Sequence, residues 1–264
     1  MNRKLGMFLN TKHIEVNEGI KKAREWDLDY IQLYAMNTNF NLANISKVEW
    51  ANLKKSLFFN GIKVPSLAIS FGESGIVGAE VESVIEPLKR VADRGLELGA
   101  SIITAHIGKI PDDEKSERYD KMQRTCYEIG DLALRLGGVF AIETGSEKAI
   151  VLKRFLENIS SNGLAVNFDP ANIISEVNEN PIESLFLLKE YIVQTHIKDC
   201  KEVKRNGLSE YIEVTAGNGE VDFDTFFKAL DEIGFDGYNI IERNNYIDQL
   251  DGMSKSINFV KKYI

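Results

Sequence analysis

GVFAIE (138–143), LAVNFD (164–169), IVQTH (192–196) and YNIIE (238–242) are four short apolar runs, each ending in a side chain that binds metals. The closing residues are Glu143, Asp169, His196 and Glu242, and the first three lie 26 and 27 positions apart. That spacing is about one strand-plus-helix unit. In a closed parallel barrel, residues at the carboxyl ends of neighbouring strands converge on one mouth. Three carboxylates and one imidazole meeting there suit a divalent cation.

The same rhythm extends outward from these runs. Further strand-like segments are KLGMFL (4–9), DYIQLYA (29–35), KVPSLAIS (63–70) and SIITAHIG (101–108). With GVFAIET (138–144), LAVNFD (164–169), IVQTHIK (192–198) and GYNIIER (237–243) they make eight. All lean apolar throughout, as strands covered on both faces must. Amphipathic stretches separate them. In residues 79–100, Val81, Val84, Ile85, Leu88, Val91 and Ala92 share one helical face with charges opposite. Gly61, Gly99, Gly137, Gly163 and Gly234 stand where helices should end, and a left-handed cap is easiest for glycine. Eight alternations without a linker predict an α/β fold, a single (β/α)8 barrel over residues 1–264. A doubly wound open sheet is the alternative, but it gives no reason to place such residues on consecutive strand ends. Residues 200–221 form the one long connection, expected as a functional loop over the mouth.

Alternation along a strand predicts which residues share the barrel interior. Ala141 goes with Glu143, Asn167 with Asp169, Gln194 and Lys198 with His196, and Ile240 and Asn244 with Glu242. Polar inward positions are expected only at the carboxyl end, with a packed core below. The eighth-strand residue follows the seventh by 46 positions because the long connection intervenes.

Composition narrows the function classes. The chain has 264 residues, 44% of them hydrophobic, enough for a substantial core. Thirty-two basic against forty acidic residues give a net charge of −8, with no Lys/Arg stripe. Such a surface repels phosphate backbones, so no nucleic-acid partner is expected. Cys126 and Cys200 form neither a metal-ligand spacing nor a disulfide framework, which suits a reducing cytoplasm. The N-terminal MNRKLGMFLN is too short in its apolar part for a signal peptide, and no run approaches a membrane span.

IETG (142–145), VNFDPANI (166–173), HIKD (196–199), GNGEVDF (217–223) and IIER (240–243) together resemble the sugar phosphate isomerase/epimerase family. This belongs to the xylose-isomerase-like TIM-barrel superfamily, which also holds ketose 3-epimerases, inosose dehydratase and endonuclease IV. The resemblance implies a divalent metal, commonly Mn²⁺, bound by Glu143, Asp169, His196 and Glu242, with Mg²⁺, Co²⁺ and Zn²⁺ as alternatives. It also implies a sugar or sugar phosphate substrate, which the HxKD motif offers Lys198 to contact. Asn172 and His106 are further substrate-binding candidates, His106 at the end of the fourth strand being either a substrate contact or a histidine hydrogen-bonded in place. Endonuclease IV-like enzymes need further histidines for three zinc ions. This chain has only His13, His106 and His196, its third strand ends Ile69-Ser70, and Asn172 stands three after Asp169. Asn172 likewise replaces a substrate-binding histidine of ketose 3-epimerases. Their second glutamate corresponds to Ala149, with Glu147 and Lys148 nearby.

An oxygen-rich site with one imidazole leaves coordination positions open for a hydroxy-ketone. Glu143 and Glu242 are then the expected catalytic pair, one removing a proton beside the carbonyl and the other returning it. Which takes which role is left open. An inosose-dehydratase-like lyase and a non-catalytic sugar- or protein-binding barrel are the rival readings. The sequence leaves open a homo-oligomer. Among the remaining candidates, Phe8, Tyr34 and Phe71 can wall a sugar or pack the rim. GNG (217–219) is a weak phosphate-loop signal, Lys201, Lys204 and Arg205 are solvated charges or a phosphate grip, His13 reads as surface, and Cys200 shows no sign of activation.

Overall fold

The computed structural model describes residues 3–72, 75–76, 79–244 and 249–264. Met1 and Asn2 of the N-terminal stretch discussed above lie outside the described residues. Seven strands alternate with helices: β1 (Lys4–Leu9), β2 (Tyr30–Tyr34), β3 (Lys63–Ala68), β4 (Ile102–Ala105), β5 (Val139–Glu143), β6 (Leu164–Phe168) and β7 (Ile192–Ile197). A hairpin follows, β8 (Asp199–Arg205) and β9 (Leu208–Val214), and then β10 (Tyr238–Ile241). The helices are α1 (Val16–Glu25), α2 (Lys47–Asn60), α3 (Val81–Leu98), α4 (Glu117–Arg135), α5 (Ala149–Ile159), α6 (Pro170–Ser175), α7 (Pro181–Leu188), α8 (Phe223–Glu232) and α9 (Gln249–Val260).

β1 pairs in parallel with both β2 and β10, closing an eight-stranded barrel in the order β1-β10-β7-β6-β5-β4-β3-β2. Each barrel strand falls within one of the eight apolar runs. The main apolar core lies between barrel and helices, where Val84, Leu88, Val91 and Ala92 of α3 are buried as the periodicity predicts. Helix ends follow local chemistry. Ser46 and Glu49 form a capping box at the start of α2. Among the described residues no helix is long and apolar enough to cross a membrane.

One register shift positions the chemistry. Val166 of β6 pairs with Ile192, but the next residue, Asn167, pairs with Gln194. The extra residue, Val193, packs in the barrel floor with Ile102, Ala141 and Ala165. Because side chains alternate in a strand, a one-residue slip exchanges the two faces. The bulge thus keeps Val193 inward below and turns Gln194 and His196 inward above, in step with Asn167 and Asp169.

Three expectations need correction. Residues 200–221 are not a structureless loop, since most of them form the antiparallel β8–β9 hairpin. Its turn, Asn206-Gly207, has two successive positive φ angles of 53° and 80°. An Asn-Gly pair between strands favours that turn, so the signal was present but outweighed by the charged flanks. No hairpin residue lines the mouth cavity. Gly163 is not a helix cap either. α5 ends at Ser160, whose φ is 52°, and at Gly163 an added Cβ would overlap the carbonyl oxygen of Gly130 in α4. Here glycine permits a close helix–strand approach. Finally, the interior below the mouth is not wholly apolar: Gln32, Ser66, Thr104, Asn167 and Gln194 are all fully buried.

Gly163→Ala is expected to destabilise the barrel by about 1–3 kcal/mol, since backbone rather than a flexible side chain blocks the methyl group. Urea denaturation measures this; an unchanged midpoint would show that α4 and β6 can move apart freely.

Candidate active site

Glu143 ends β5, Asp169 follows β6, His196 lies in β7 and Glu242 follows β10. All four are buried, and one ligating atom from each lies within 4.8 Å of the others. The structure therefore brings together the residues singled out by their strand-end positions.

Each is oriented by its own neighbourhood. Asp169 caps α6: its Oδ1 accepts the backbone N–H groups of Ala171 and Asn172 at 2.9 and 3.0 Å, with Pro170 next in sequence. An aspartate before a first-turn proline is a strong helix start. Its Oδ2 consequently points the other way, into the cluster, buried and without a hydrogen bond. Oε2 of Glu242 is likewise buried and unbonded, while its Oε1 accepts from Asn244 Nδ2 at 2.8 Å. His196 Nε2 meets Gln32 Oε1 at 2.8 Å. That contact fixes the ring with Nε2–H donating. Nδ1 then faces Glu143, Glu242 and Asp169 at 3.3, 3.2 and 3.8 Å.

The polar floor absent from the sequence expectation supports this ring. Gln194 Nε2 donates to Asn167 Oδ1 at 3.2 Å, and Asn167 Nδ2 lies 3.2 Å from His196 Nε2. Gln32 Nε2 donates to Thr104 Oγ1 at 2.7 Å across the barrel. Buried amides surrounding a ligating ring are what a metal-binding histidine needs for a fixed orientation.

Three carboxylates this close must be offset by positive charge. Lys198 Nζ sits 3.2 Å from Glu242 Oε2 and 3.5 Å from Asp169 Oδ2, and donates to Asn172 Oδ1 at 3.1 Å. Asn172 Nδ2 in turn donates to Glu143 Oε1 at 3.3 Å. His106 Nε2 lies 3.3 Å from the same oxygen, with half its side chain open to the cavity. Burial opposes charge on Glu242, yet Lys198 and His196 outweigh it and hold the acid down to about 2. Burial likewise opposes charge on Glu143, but His106 and His196 hold it well below the usual range. His106 is raised to about 9, first by Glu143. His196 is raised well above its ordinary value: burial pulls it down, and the carboxylates Glu143 and Glu242 overcome that. Two unbonded carboxylate oxygens facing a ring nitrogen in a buried cluster of mostly oxygen donors fit a hard divalent cation.

The mouth cavity encloses about 710 Å³, and Glu143, His196, Lys198, Glu242, His106 and Asn172 all border it. Phe8 and Tyr34 wall it too, whereas Phe71 packs on Phe140 at 6.3 Å and does not reach it. The glycine-rich GNG segment holds an anion, but an internal one. Asp199 accepts the N–H groups of Gly217 and Gly219 at Oδ2 and those of Cys200 and Val221 at Oδ1, all within 3.1 Å. That carboxylate occupies the turn in place of a phosphate and ties the hairpin to the end of β7. Lys201, Lys204 and Arg205 lie on the hairpin away from the cavity, Arg205 paired with Glu210 at 3.0 Å. Burial pushes the Cys200 thiol up to about 12, in keeping with an unactivated cysteine. His13 is exposed.

Several known proteins share this architecture. A structure of a xylose isomerase domain protein from Planctomyces limnophilus superimposes with a TM-score of 0.85 at 24% identity, covering 99% of this chain and 97% of that one. The D-allulose 3-epimerase of a Methylomonas species, solved with D-allulose, gives a TM-score of 0.76 at 19% identity over 99% and 97% of the two chains. An Escherichia coli K12 protein provisionally assigned as the L-ribulose-5-phosphate 3-epimerase SgbU is 23% identical over 261 residues, 91% of this chain and 88% of its own. Residues 20–263, nearly the whole barrel, match the xylose isomerase-like TIM barrel family, and the chain belongs to it.

Proposed function

We propose that this protein is a divalent-cation-dependent epimerase or isomerase of ketoses, keto-glycosides or sugar phosphates. Epimerases among its relatives act on L-ribulose 5-phosphate, by provisional assignment, and on D-allulose. The observation that carries the reading is the pair Glu143 and Glu242, which border one cavity from non-adjacent strands and cluster with Asp169 and His196 so that one ligating atom from each lies within 4.8 Å of the others.

Glu143, Asp169, His196 and Glu242 would hold the cation, Mn²⁺ by preference for a site of three carboxylates and one imidazole. When bound, it supplies the positive charge that stabilises an enediolate. The protein's own groups do the rest. Both glutamates are ionised near neutral pH, so each is ready to accept a proton from the carbon beside a carbonyl. Approaching from different strands, one removes the proton from one face and later releases it to water in the mouth, while the other takes up a solvent proton and delivers it to the opposite face, inverting that carbon. Return to the neighbouring carbon gives isomerisation instead. Lys198 Nζ and His106 Nε2 donate hydrogen bonds to substrate oxygens, Asn172 holds Lys198 in place, and Phe8 and Tyr34 cover the apolar edge of the sugar. Two free, buried cysteines accord with a cytoplasmic setting.

Two measurements test this reading. In the cation-free protein the carboxylates keep His196 protonated at neutral pH, whereas a coordinating Nδ1 must be neutral. Mn²⁺ binding at pH 7 should therefore release about one proton, and affinity should strengthen as pH rises toward the raised value of His196. Calorimetry in two buffers of different ionisation enthalpy reads this directly; identical heats would contradict it. Second, with Mn²⁺ and a panel of ketoses, keto-glycosides and their phosphates in heavy water, the protein should wash deuterium into one carbon beside the carbonyl. Glu143→Gln and Glu242→Gln should each slow that exchange about 10²–10⁴-fold. Water loss with new ultraviolet absorbance would mark a lyase instead.

A further inference from the structure

Beside the mouth lies a second cavity of about 590 Å³, bounded by the segment after β1, the segment after β2 and the first turns of α2. Lys12 borders both cavities. The lining is rich in amides: Asn39, Asn41, Asn44 and Asn52, with Phe40 among them. The acids here are already engaged. Glu15 Oε2 accepts the N–H of Glu18 at 2.9 Å as a helix cap, and Glu49 belongs to the capping box of α2. The amides are not spent in the same way. Asn39 uses Nδ2 on the carbonyl of Lys12, leaving Oδ1, and Asn41 uses Oδ1 on the N–H of Ala43, leaving Nδ2. The side chains of Asn44 and Asn52 make no hydrogen bond among the described residues.

Uncharged groups that both donate and accept match vicinal hydroxyls, each of which also donates and accepts. An aromatic ring beside them matches the C–H face of a pyranose. We propose that this cleft is a second carbohydrate subsite, and that the substrate is a keto-sugar bearing a further glycosyl or polyol unit. The inference rests on the proposed function in one respect, that the reacting ring occupies the mouth.

The backbone at Lys12 is also linked to Glu242 by hydrogen bonds. The N–H of Lys12 donates to Asn10 Oδ1 at 3.2 Å, Asn10 Nδ2 to Asn244 Oδ1 at 3.4 Å, and Asn244 Nδ2 to Glu242 Oε1 at 2.8 Å. Binding in the cleft bears on the segment that positions Glu242. Energy from a remote, unreacting part of a substrate is then available at the reacting carbon.

The test has a binding arm independent of turnover. Cellobiose, maltose and sucrose carry no free ketone. Titrated at millimolar concentration into the cation-free protein, at least one of them should shift the side-chain amide signals of Asn39, Asn44 and Asn52 in nitrogen-resolved NMR spectra. Asn44→Trp, an exposed position, should abolish the shift by filling the cleft, and Asn52→Ala should weaken it. Silence from all three sugars overturns the proposal. In the kinetic arm, the ratio of kcat/KM for a keto-glycoside to that for the matching free keto-sugar should fall about tenfold in Asn44→Trp, with much of the loss in kcat. An unchanged ratio overturns the proposal. No exchange with any ketose would sink the proposed function and leave the NMR result standing.

Discussion

The arrangement depends on keeping three carboxylates together, out of water, around one imidazole. Isolated buried anions are expensive enough that they neutralise or recruit a partner. Here the recruits are Lys198, His106 and the ring of His196 itself, each within 3.5 Å of a carboxylate oxygen. Much of the surrounding polar structure follows from this. Asn244 takes up the Glu242 oxygen that the cations leave, Asn172 shares Glu143 Oε1 with the two histidines, and α6 is started by the aspartate whose second oxygen points inward. The closed barrel supplies the rigidity that such a concentration of charge requires, because every strand is paired on both sides.

The polar floor extends the same logic downward. A barrel interior is ordinarily filled by branched apolar side chains, and large aliphatics here would pack well below the mouth. They would also leave His196 Nε2 without an acceptor, and the ring free to turn its lone pair from the cluster. Gln32, Asn167 and Gln194 prevent that. Each nevertheless bonds a neighbour on another strand, although Gln194 Oε1 stays buried without a partner, a cost the network carries to hold the ring. The network thus depends on the β6–β7 bulge. Without the slip at Val193, Gln194 and His196 would face the helices and Asp169 would lack its nearest imidazole.

The sequence made the eight strands and the four strand-end residues legible because period, apolar content and spacing all report burial on both strand faces. It also made Lys198, Asn172 and His106 legible as neighbours of those ends. What it hid was parity and partnership. A bulge adds one residue to a strand without changing its composition, so Val193 looks no different from Ile192. Gln32 and Thr104 read as ordinary strand residues, since their meaning comes from each other across 72 positions of chain. The GNG turn misled because a glycine-rich nest shows that an anion is held but not which one. Its carboxylate lay 18 residues upstream, in the motif HIKD.

Charge balance gives the loaded site its chemical character. Glu143, Asp169 and Glu242 bring three negative charges and Lys198 one positive charge; a divalent cation held there, as proposed, would add two, and the centre would be neutral once His196 gave up its proton. A neutral centre has no electrostatic preference between a free sugar and its glycoside. It gains most where negative charge develops during reaction, on the oxygens of the deprotonated ketone. His106, half open and held protonated chiefly by Glu143, adds a further positive charge beside the carboxylate cluster. A substrate phosphate would have to be met farther out, by Lys12 or Lys109 on the rim. Apart from Lys12 at its border, the cleft is lined largely by amides, which suit hydroxyl groups. On the proposed reading the two cavities would divide the work: the mouth would stabilise the charge the reaction creates, and the cleft would recognise a neutral polyhydroxylated extension.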